Sequence, residues 1–433
     1  MARPRSPLLP IFLIVFVDVL GFTIVIPLLS LYAERFGASK LVATTIVSVY
    51  AVCSLISTPV IGNLSDRYGR RPLLLVSQAG TCAGFVILGI SNALWMVFLG
   101  RILDGITAGN LSTAQAYISD HTKPEDRAKS FGIIGIAFGI GFMFGPGMGG
   151  WLSAQYGMHM PFIVSACLSF VSIVCTWTLL PRELPPQDGK PAAVATANAG
   201  PAGRRPGAFD ISTYVEFFRR PGLGSVYVQY FLFTFAFSCF TSGFALFAEA
   251  RYGWSARQTG YLFTYAGLLG IFLQGGLIGR LVKRYGEVKL SIAGFGAALV
   301  GYVLLGFVTK VTPWQWLAFL LVTATVNGFG SGVLRPVLSS RISQMVGRYE
   351  QGVALGIAGS LSSLAMTLAP PSGGTMLDLG WLQGWTTVSA TMSLIGLVAA
   401  VATRASTRAA SAAIASKLPK AEVVKTVPEI VAE

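Results

Sequence analysis

The sequence predicts an all-α membrane protein in which twelve transmembrane helices form two pseudo-symmetric six-helix bundles. Three observations predict this fold class: the composition, the number of long apolar runs and an internal repeat. The chain has 433 residues, of which 53% are hydrophobic and only 12% are charged, and its mean hydropathy is +0.65. Because soluble globular proteins carry roughly 25% charged residues, this composition excludes a soluble enzyme, a disordered protein and a nucleic-acid-binding protein.

Long apolar runs predict the individual spans, since a helix needs about 20 mostly apolar residues to cross a bilayer. Six runs precede a polar stretch and six follow it. The predicted spans are 8–33, 42–62, 73–90, 93–119, 130–155, 160–180, 222–248, 257–280, 290–308, 314–342, 352–377 and 384–402.

These runs divide the chain into four parts. Residues 1–180 form the first bundle, 181–221 a cytoplasmic linker rich in Pro, Ala and Gly, 222–402 the second bundle, and 403–433 a cytoplasmic tail. The first run contains Asp18 and has no small-residue cleavage site, so we interpret it as a retained span rather than a cleaved signal peptide.

The distribution of basic residues predicts the orientation. With the N-terminus placed in the cytoplasm, 25 of the 32 Lys and Arg residues lie on the cytoplasmic side and five on the outer side. This bias indicates that both termini are cytoplasmic and that the net charge of +14 reflects topology rather than nucleic-acid binding. The five cysteines lie in apolar runs and the two histidines are isolated, so we expect neither disulfides nor a metal site.

Two segments of the first half recur in the second half. The segment that begins at Gly62 recurs at Gly279, an offset of 217 residues. A second match, at an offset of 224, pairs Gly132, Pro146, Gly149 and Gly150 with Gly356, Pro370, Gly373 and Gly374. Two six-helix repeats around a central cavity are typical of secondary transporters, whose substrate site lies near the middle of the membrane.

The segment after the second span resembles the signature loop of the major facilitator superfamily. Its matching residues are Gly62, Asp66, Arg67, Gly69, Arg70 and Arg71. The resemblance implies that Asp66 and Arg70 form a latch between helices that gates the cytoplasmic side. The alternative is a basic loop that only obeys the orientation rule. Lys283 replaces the aspartate in the second copy, so its latch must differ or be missing.

The fifth span carries a spaced glycine pattern. Glycines allow close approach of helix backbones, and a proline inside a span bends the helix. The complete spacing resembles the motif of the antiporter branch of the superfamily and implies a bent, tightly packed helix that limits leak. Ordinary small-residue packing is the alternative. The residues are Gly132, Gly141, Gly145, Pro146, Gly149 and Gly150.

Four ionisable residues are clear cases inside predicted spans, apart from arginines at the span boundaries: Asp18, Arg101, Asp104 and Arg335. Such residues are costly in a membrane and usually mark a polar cavity. The segments around Asp18 and Arg101 resemble first- and fourth-span motifs of drug:proton antiporters, which implies proton coupling by Asp18, Arg101 and Asp104, with Asp18 as the proton carrier and Arg101 as its electrostatic partner. A structural ion pair that aligns the first and fourth helices is the alternative.

Other polar and aromatic side chains within spans are candidates for a substrate cavity. Each of them alone is more often a packing contact between helices than a ligand contact. Arg335 either faces a negative group of the substrate or extends toward the cytoplasmic interface. The candidates are Gln115, Gln229, Phe235, Tyr265, Gln274, Asn327 and Arg335.

Over the whole chain, the sequence most closely resembles the tetracycline:proton antiporters. Two departures concern acidic residues of those pumps, which align with Gly84 in the third span and Ala298 in the ninth. Asp104, conversely, stands where those pumps often have a neutral residue. The resemblance therefore implies the fold and antiport, but not tetracycline as the substrate.

From this resemblance we expect a proton-driven exporter of drug-like or amphipathic small molecules in a bacterial inner membrane. It would use H⁺ as the coupling ion, no cofactor, and alternating access, as a monomer in the lipid bilayer. A proton-coupled or facilitative uptake carrier for a small nutrient is the alternative. A receptor that keeps the fold without transporting a substrate is a weaker alternative. Asp18 and Arg101 would then have no function that offsets the free-energy cost of charged groups in the membrane. We find no enzyme motif and no ATP-binding motif in the sequence.

Overall fold

The computed structural model describes residues 8–121, 127–180, 211–307, 313–347 and 350–417. Every regular element within these ranges is a helix, which confirms the all-α prediction. The helices of the first half are α1 Leu8–Glu34, α2 Lys40–Tyr68, α3 Arg70–Gly89, α4 Leu94–Ile106, α5 Asn110–His121, α6 Arg127–Tyr156 and α7 Met160–Leu179.

The second half begins with a short helix at the end of the linker and continues with longer ones. Its elements are α8 Ile211–Arg219, α9 Leu223–Tyr252, α10 Ala256–Phe272, a π-helix Leu273–Leu277, α11 Ile278–Tyr285, α12 Glu287–Phe307, α13 Pro313–Gln344, α14 Gln351–Asp378 and α15 Leu382–Lys417.

Within the described ranges, nine helices are long and apolar enough to cross a membrane. They correspond to nine of the twelve predicted spans; the other three are the fourth, the fifth and the eighth. The fifth span is α6, of which the side chains of residues 127–135 are not described. The prediction of a continuous fourth span is wrong, because it breaks between Ile106 and Asn110. The eighth span is helical throughout but contains the π-helix, where Gly275 and Gly276 favour irregular backbone.

The turns after the second and eighth spans, which belong to the internal repeat, have the same backbone conformation. Gly69 separates α2 from α3 with φ 93°, and Gly286 separates α11 from α12 with φ 76°. Positive φ at both positions favours glycine, because a side chain there would clash with the backbone. The repeat in sequence is therefore also a repeat in structure at this turn.

Contacts between the helices group the described residues into two units. The first contains residues of Met1–Phe209, Ser238–Ile271 and Met366–Trp385, and the second contains the rest. In the first unit, segments of α9, α10 and α14 pack on the N-terminal helices. For example, the hydroxyl of Ser30 donates to the carbonyl of Ser242 at 2.8 Å. The division at residues 180 and 222 remains a prediction.

The second unit holds the linker helix α8 by polar and apolar contacts. Arg220 binds Glu350 through two hydrogen bonds of 2.7 and 2.9 Å, and the hydroxyl groups of Tyr214 and Ser360 lie 2.9 Å apart. Phe217 is buried in the apolar core of this unit. These contacts fix the end of the linker to the loop before α14.

We expect the substitution Glu350→Gln to reduce the stability of this unit modestly. The charged hydrogen bonds with Arg220 hold the pKa of Glu350 below its usual range. Stability from such a group is present at neutral pH and is lost as the pH falls through the lowered pKa. Since both side chains are partly exposed, the loss at pH 7 is at most about 1 kcal/mol. Thermal unfolding of the purified protein at pH 7 and pH 4 measures it.

Glu216 provides the matched control, because it binds the same arginine from a more exposed position. Glu216→Gln should change the melting temperature less than Glu350→Gln at pH 7. Equal melting temperatures for wild type and Glu350→Gln at neutral pH would contradict a stabilising role for the pair.

Candidate functional site

Asp18 lies in a polar cluster inside the first unit. The carboxyl group interacts with Gln78 of α3, Asn110 of α5 and Ser172 of α7. It also has an electrostatic interaction with the carboxyl group of Asp104. The amide of Gln78 donates to the hydroxyl of Ser172 at 2.7 Å. The Oδ1 atom of Asp18 is buried and has no hydrogen-bond partner within the described ranges. Three helices thus bring neutral polar groups to one buried carboxyl group.

Arg101 and Asp104 form a buried ion pair on α4. Nη1 of Arg101 lies 3.2 Å from Oδ2 of Asp104, and the two side chains are 3% and 5% exposed. The guanidinium group also lies 5.3 Å from the ring centre of Phe85 and 6.0 Å from that of Tyr50. We expected Arg101 to be the electrostatic partner of Asp18, but its ion-pair partner in the structure is Asp104. The spacing of three residues places both groups on one helix face.

The structure explains why residue 84 is glycine in this chain. A Cβ atom on Gly84 would lie 2.8 Å from the carbonyl oxygen of Gly100 and 3.1 Å from Cβ of Asp104. Any side chain at position 84 therefore competes with Asp104 for the same space. Asp104 places a carboxylate at this contact between α3 and α4.

The glycines of the fifth span bring α6 into backbone contact with α1 just beyond Asp18. A Cβ atom on Gly141 would lie 2.7 Å from Cγ1 of Val19, and one on Gly149 would overlap the carbonyl oxygen of Ile24. The hydroxyl of Thr23 crosses this contact and donates to the carbonyl of Gly141 at 2.9 Å. Gly145 has the same role against Thr23. Gly132 lies outside the residues whose side chains are described.

The matching glycines of α14 make equivalent contacts. Gly149 faces α1 and Gly150 faces α10, where a Cβ atom would lie 2.7 Å from the carbonyl oxygen of Ala256. In the second copy, Gly373 faces α9 and Gly374 faces α2. Since α9 and α2 are the repeat counterparts of α1 and α10, the last two glycines of the pattern have the same packing role in both halves, whereas Ala365 and Ala369 replace Gly141 and Gly145 in the second.

The arginines of the loop after α2 bind groups at helix ends. Nη1 of Arg70 donates to the hydroxyl of Ser65 at 2.7 Å. Arg71 is buried, donates to the carbonyl of Trp177 in the last turn of α7, and lies 5.3 Å from the centre of the Trp177 ring. A cation at the C-terminus of a helix is favourable. Arg67 is exposed, and the side chain of Asp66 lies outside the described residues, so the latch remains a prediction.

The candidate cavity residues occupy different environments. In the first unit, Gln115 is exposed and Tyr265 is half-buried. In the second unit, Gln229 is fully buried and accepts a hydrogen bond from Arg341 at 3.1 Å, so it contributes to packing between helices. The other four of the second unit divide by exposure: Phe235 and Asn327 are buried, whereas Gln274 and Arg335 are exposed.

Sequence reasoning missed the three neutral partners of Asp18. Gln78 and Ser172 are fully buried polar residues within apolar runs, which is a weak signal in a chain with many such residues. A clearer signal was available for Asn110, which follows Thr107, Ala108 and Gly109, because threonine and glycine are poor helix formers.

The sequence pattern of the Major Facilitator Superfamily matches residues 11–325 and 275–428 of this chain. The chain belongs to this superfamily. Relatives in the same superfamily include the "Tetracycline resistance protein, class C" of Escherichia coli, which is 30% identical over 88% of this chain and 94% of its own length. "Multidrug resistance protein 2" of Bacillus subtilis is 26% identical over 84% of this chain and 87% of its own length.

Solved structures confirm the fold of this superfamily member. The human organic anion transporter MFSD10 superposes with a TM-score of 0.67 at 22% identity, covering 92% of this chain and 100% of that structure. The nucleoside transporter NupG superposes with a TM-score of 0.69 at 15% identity, covering 93% and 99%. At these identities the superpositions establish the major facilitator fold alone.

Proposed function

We propose that this protein is a proton-coupled antiporter that exports drug-like or amphipathic small molecules. Its superfamily membership supports a multi-pass membrane transporter of small molecules rather than an enzyme. Relatives named for tetracycline and multidrug resistance, which match most of its length, support a drug exporter. The gradient of protons across a bacterial inner membrane would drive it, with both termini in the cytoplasm and no cofactor.

The single observation that carries the proton-coupling part is the buried carboxyl group of Asp18 and its polar surroundings. An isolated carboxylate in a membrane is costly, and protonation removes that cost. A transporter that changes the water access of Asp18 can therefore load a proton from one side and release it on the other. Arg101 and Asp104 form a neighbouring pair whose charges largely cancel, so they tune the local field without holding the site permanently positive.

The glycine contacts between α6 and α1 would limit the leak of protons that is not coupled to export. Backbone contact between two helices leaves little room for a chain of water molecules beside Asp18. Alternating access would then expose Asp18 to one side of the membrane at a time. Substrate would be released outward as a proton enters.

Two measurements test this function. Expression in an efflux-deficient bacterium, followed by a compound panel, should reveal raised tolerance to at least one amphipathic drug. With that drug in proteoliposomes, a pH-sensitive dye should report protons moving opposite to the drug. Protons that move in the same direction as the substrate would instead support the alternative, a nutrient uptake carrier.

A further inference from the structure

The fourth span is interrupted, and neighbouring hydroxyl groups support the interruption. Between α4 and α5, three residues leave the helix, and two hydroxyl groups of α2 donate to the carbonyls there. Ser57 donates to Gly105 at 2.6 Å and Thr58 donates to Ala108 at 3.0 Å. Irregular backbone within a membrane protein is tolerated where such partners replace the missing helical hydrogen bonds. The interruption is therefore stabilised by specific hydrogen bonds from α2.

Close packing at Gly109 fixes where the second helix begins. A Cβ atom on Gly109 would overlap the side chain of Ile61 and lie 2.8 Å from the hydroxyl oxygen of Ser77. The first helical hydrogen bond after the interruption joins the amide of Thr113 to the carbonyl of Gly109 at 2.9 Å. As a result, Asn110 is held as the first residue of α5, with its side chain beside Asp18.

The amides next to Asp18 are themselves positioned by further contacts. The hydroxyl oxygen of Ser172 accepts from Gln78 at 2.7 Å, and its one hydrogen is shared between Asp18 and the carbonyl oxygen of Ile14, which lies 3.4 Å away. Buried oxygen atoms of Gln78, Asn110 and Asp18 have no hydrogen-bond partner within the described part of the chain. These oxygen atoms are therefore available to accept a hydrogen bond when Asp18 is protonated, as expected of a cluster that gains and loses a proton.

Two opposing effects act on Asp18 in this setting. Burial favours its neutral form, whereas hydrogen bonds donated by amide and hydroxyl groups favour its ionised form. We propose that Asn110, Gln78 and Ser172 are positioning residues that stabilise ionised Asp18, and that the interruption of the fourth span exists to present Asn110. This inference rests on the proposed function and names the groups that let the buried carboxyl group release its proton.

The charged and titratable groups around Asp18 come from two elements. Asp104 and Arg101 of α4 form the ion pair described above, and Tyr50 of α2 lies beside that pair. The described residues of α6 present glycines to α1, and α3, α5 and α7 contribute the neutral side chains. The neutral groups are therefore the only partners of Asp18, among the described residues, that could be removed without changing the local charge.

The test is an infrared titration of the purified full-length protein in liposomes. The carbonyl band of protonated Asp18 is identified by its loss in Asp18→Asn, and its pH midpoint is then measured. Loss of one hydrogen bond to a charged group should raise the midpoint by about one pH unit in Asn110→Ala and in Gln78→Met. Asn110→Ser keeps a donor at this position and should restore most of the shift.

Ser169→Ala is the matched control. Ser169 is buried on α7, one turn from Ser172, and contacts the backbone carbonyl of Gln78 at 3.3 Å rather than its amide group. Its removal should leave the midpoint unchanged. If Gln78→Met does not fold, Asn110→Ala and Ser172→Ala provide the same comparison.

Midpoints equal to wild type in Asn110→Ala and Ser172→Ala would overturn the inference and show that these residues only pack the helices. This failure is separable from that of the proposed function. The titration needs no substrate, whereas antiport is judged by transport with the drug found in the panel screen.

Discussion

Asp18→Asn is expected to abolish drug export driven by a pH gradient while the protein still folds and inserts. Asparagine has nearly the same shape and can replace the carboxylate in its contacts with Gln78, Asn110 and Ser172. It cannot take up or release a proton, so the coupled cycle stops. Transport in proteoliposomes with an imposed pH gradient should fall to the background of empty liposomes, and exchange of drug for drug without a gradient should persist.

Asp378→Asn is a suitable control for the chemical change itself. The Asp378 carboxylate accepts a hydrogen bond from the backbone amide of Lys40 at 2.7 Å, and an asparagine oxygen can accept the same bond. This variant should transport like wild type. Full retention of gradient-driven export by Asp18→Asn would refute proton coupling at Asp18.

Gly149→Ala is expected to reduce export at least about tenfold, because a single methyl group there meets backbone rather than a movable side chain. The added Cβ atom would overlap the carbonyl oxygen of Ile24, so α6 and α1 must separate or shift. Overpacking of this kind typically costs about 1–3 kcal/mol. We also expect proton leak, measured as faster decay of an imposed pH gradient in liposomes without drug.

Gly359→Ala gives the comparison within the repeat partner of α6. Gly359 lies on α14, where a Cβ atom would meet nothing within 4 Å. Its substitution should leave both drug export and the decay rate of an imposed pH gradient unchanged. A Gly149→Ala protein with wild-type export and no leak would contradict a sealing role for the glycine pattern.

Much of the fold was predictable because it follows from local properties of the chain. Apolar run length predicted the nine spans that coincide with single long helices, and the repeat of the Gly62 segment at Gly279 is matched by two turns of the same conformation. The fourth span was predicted as continuous because apolar content does not reveal where a helix stops. Its break depends on Ser57 and Thr58, which lie on another helix.

The candidate site was predictable only in its charged members. Asp18, Arg101 and Asp104 stand out because charge is rare within apolar runs. Their pairing was not predictable from resemblance: Arg101 binds Asp104, its neighbour on the same helix face, rather than Asp18. Neutral partners such as Gln78 carry no comparable signal, since buried serine, threonine and glutamine residues are common in this chain.

By itself, the sequence determined that this protein is a helical membrane transporter with two related halves and very few buried charges. Hydropathy, charge bias and glycine spacing suffice for that, because each reports a short stretch of chain in contact with lipid, water or a neighbouring helix. Tertiary structure alone decided which side chains surround Asp18 and why position 84 must be glycine when Asp104 is present. Those features depend on the approach of α3, α4, α5 and α7, and distances between helices are not encoded in any one segment.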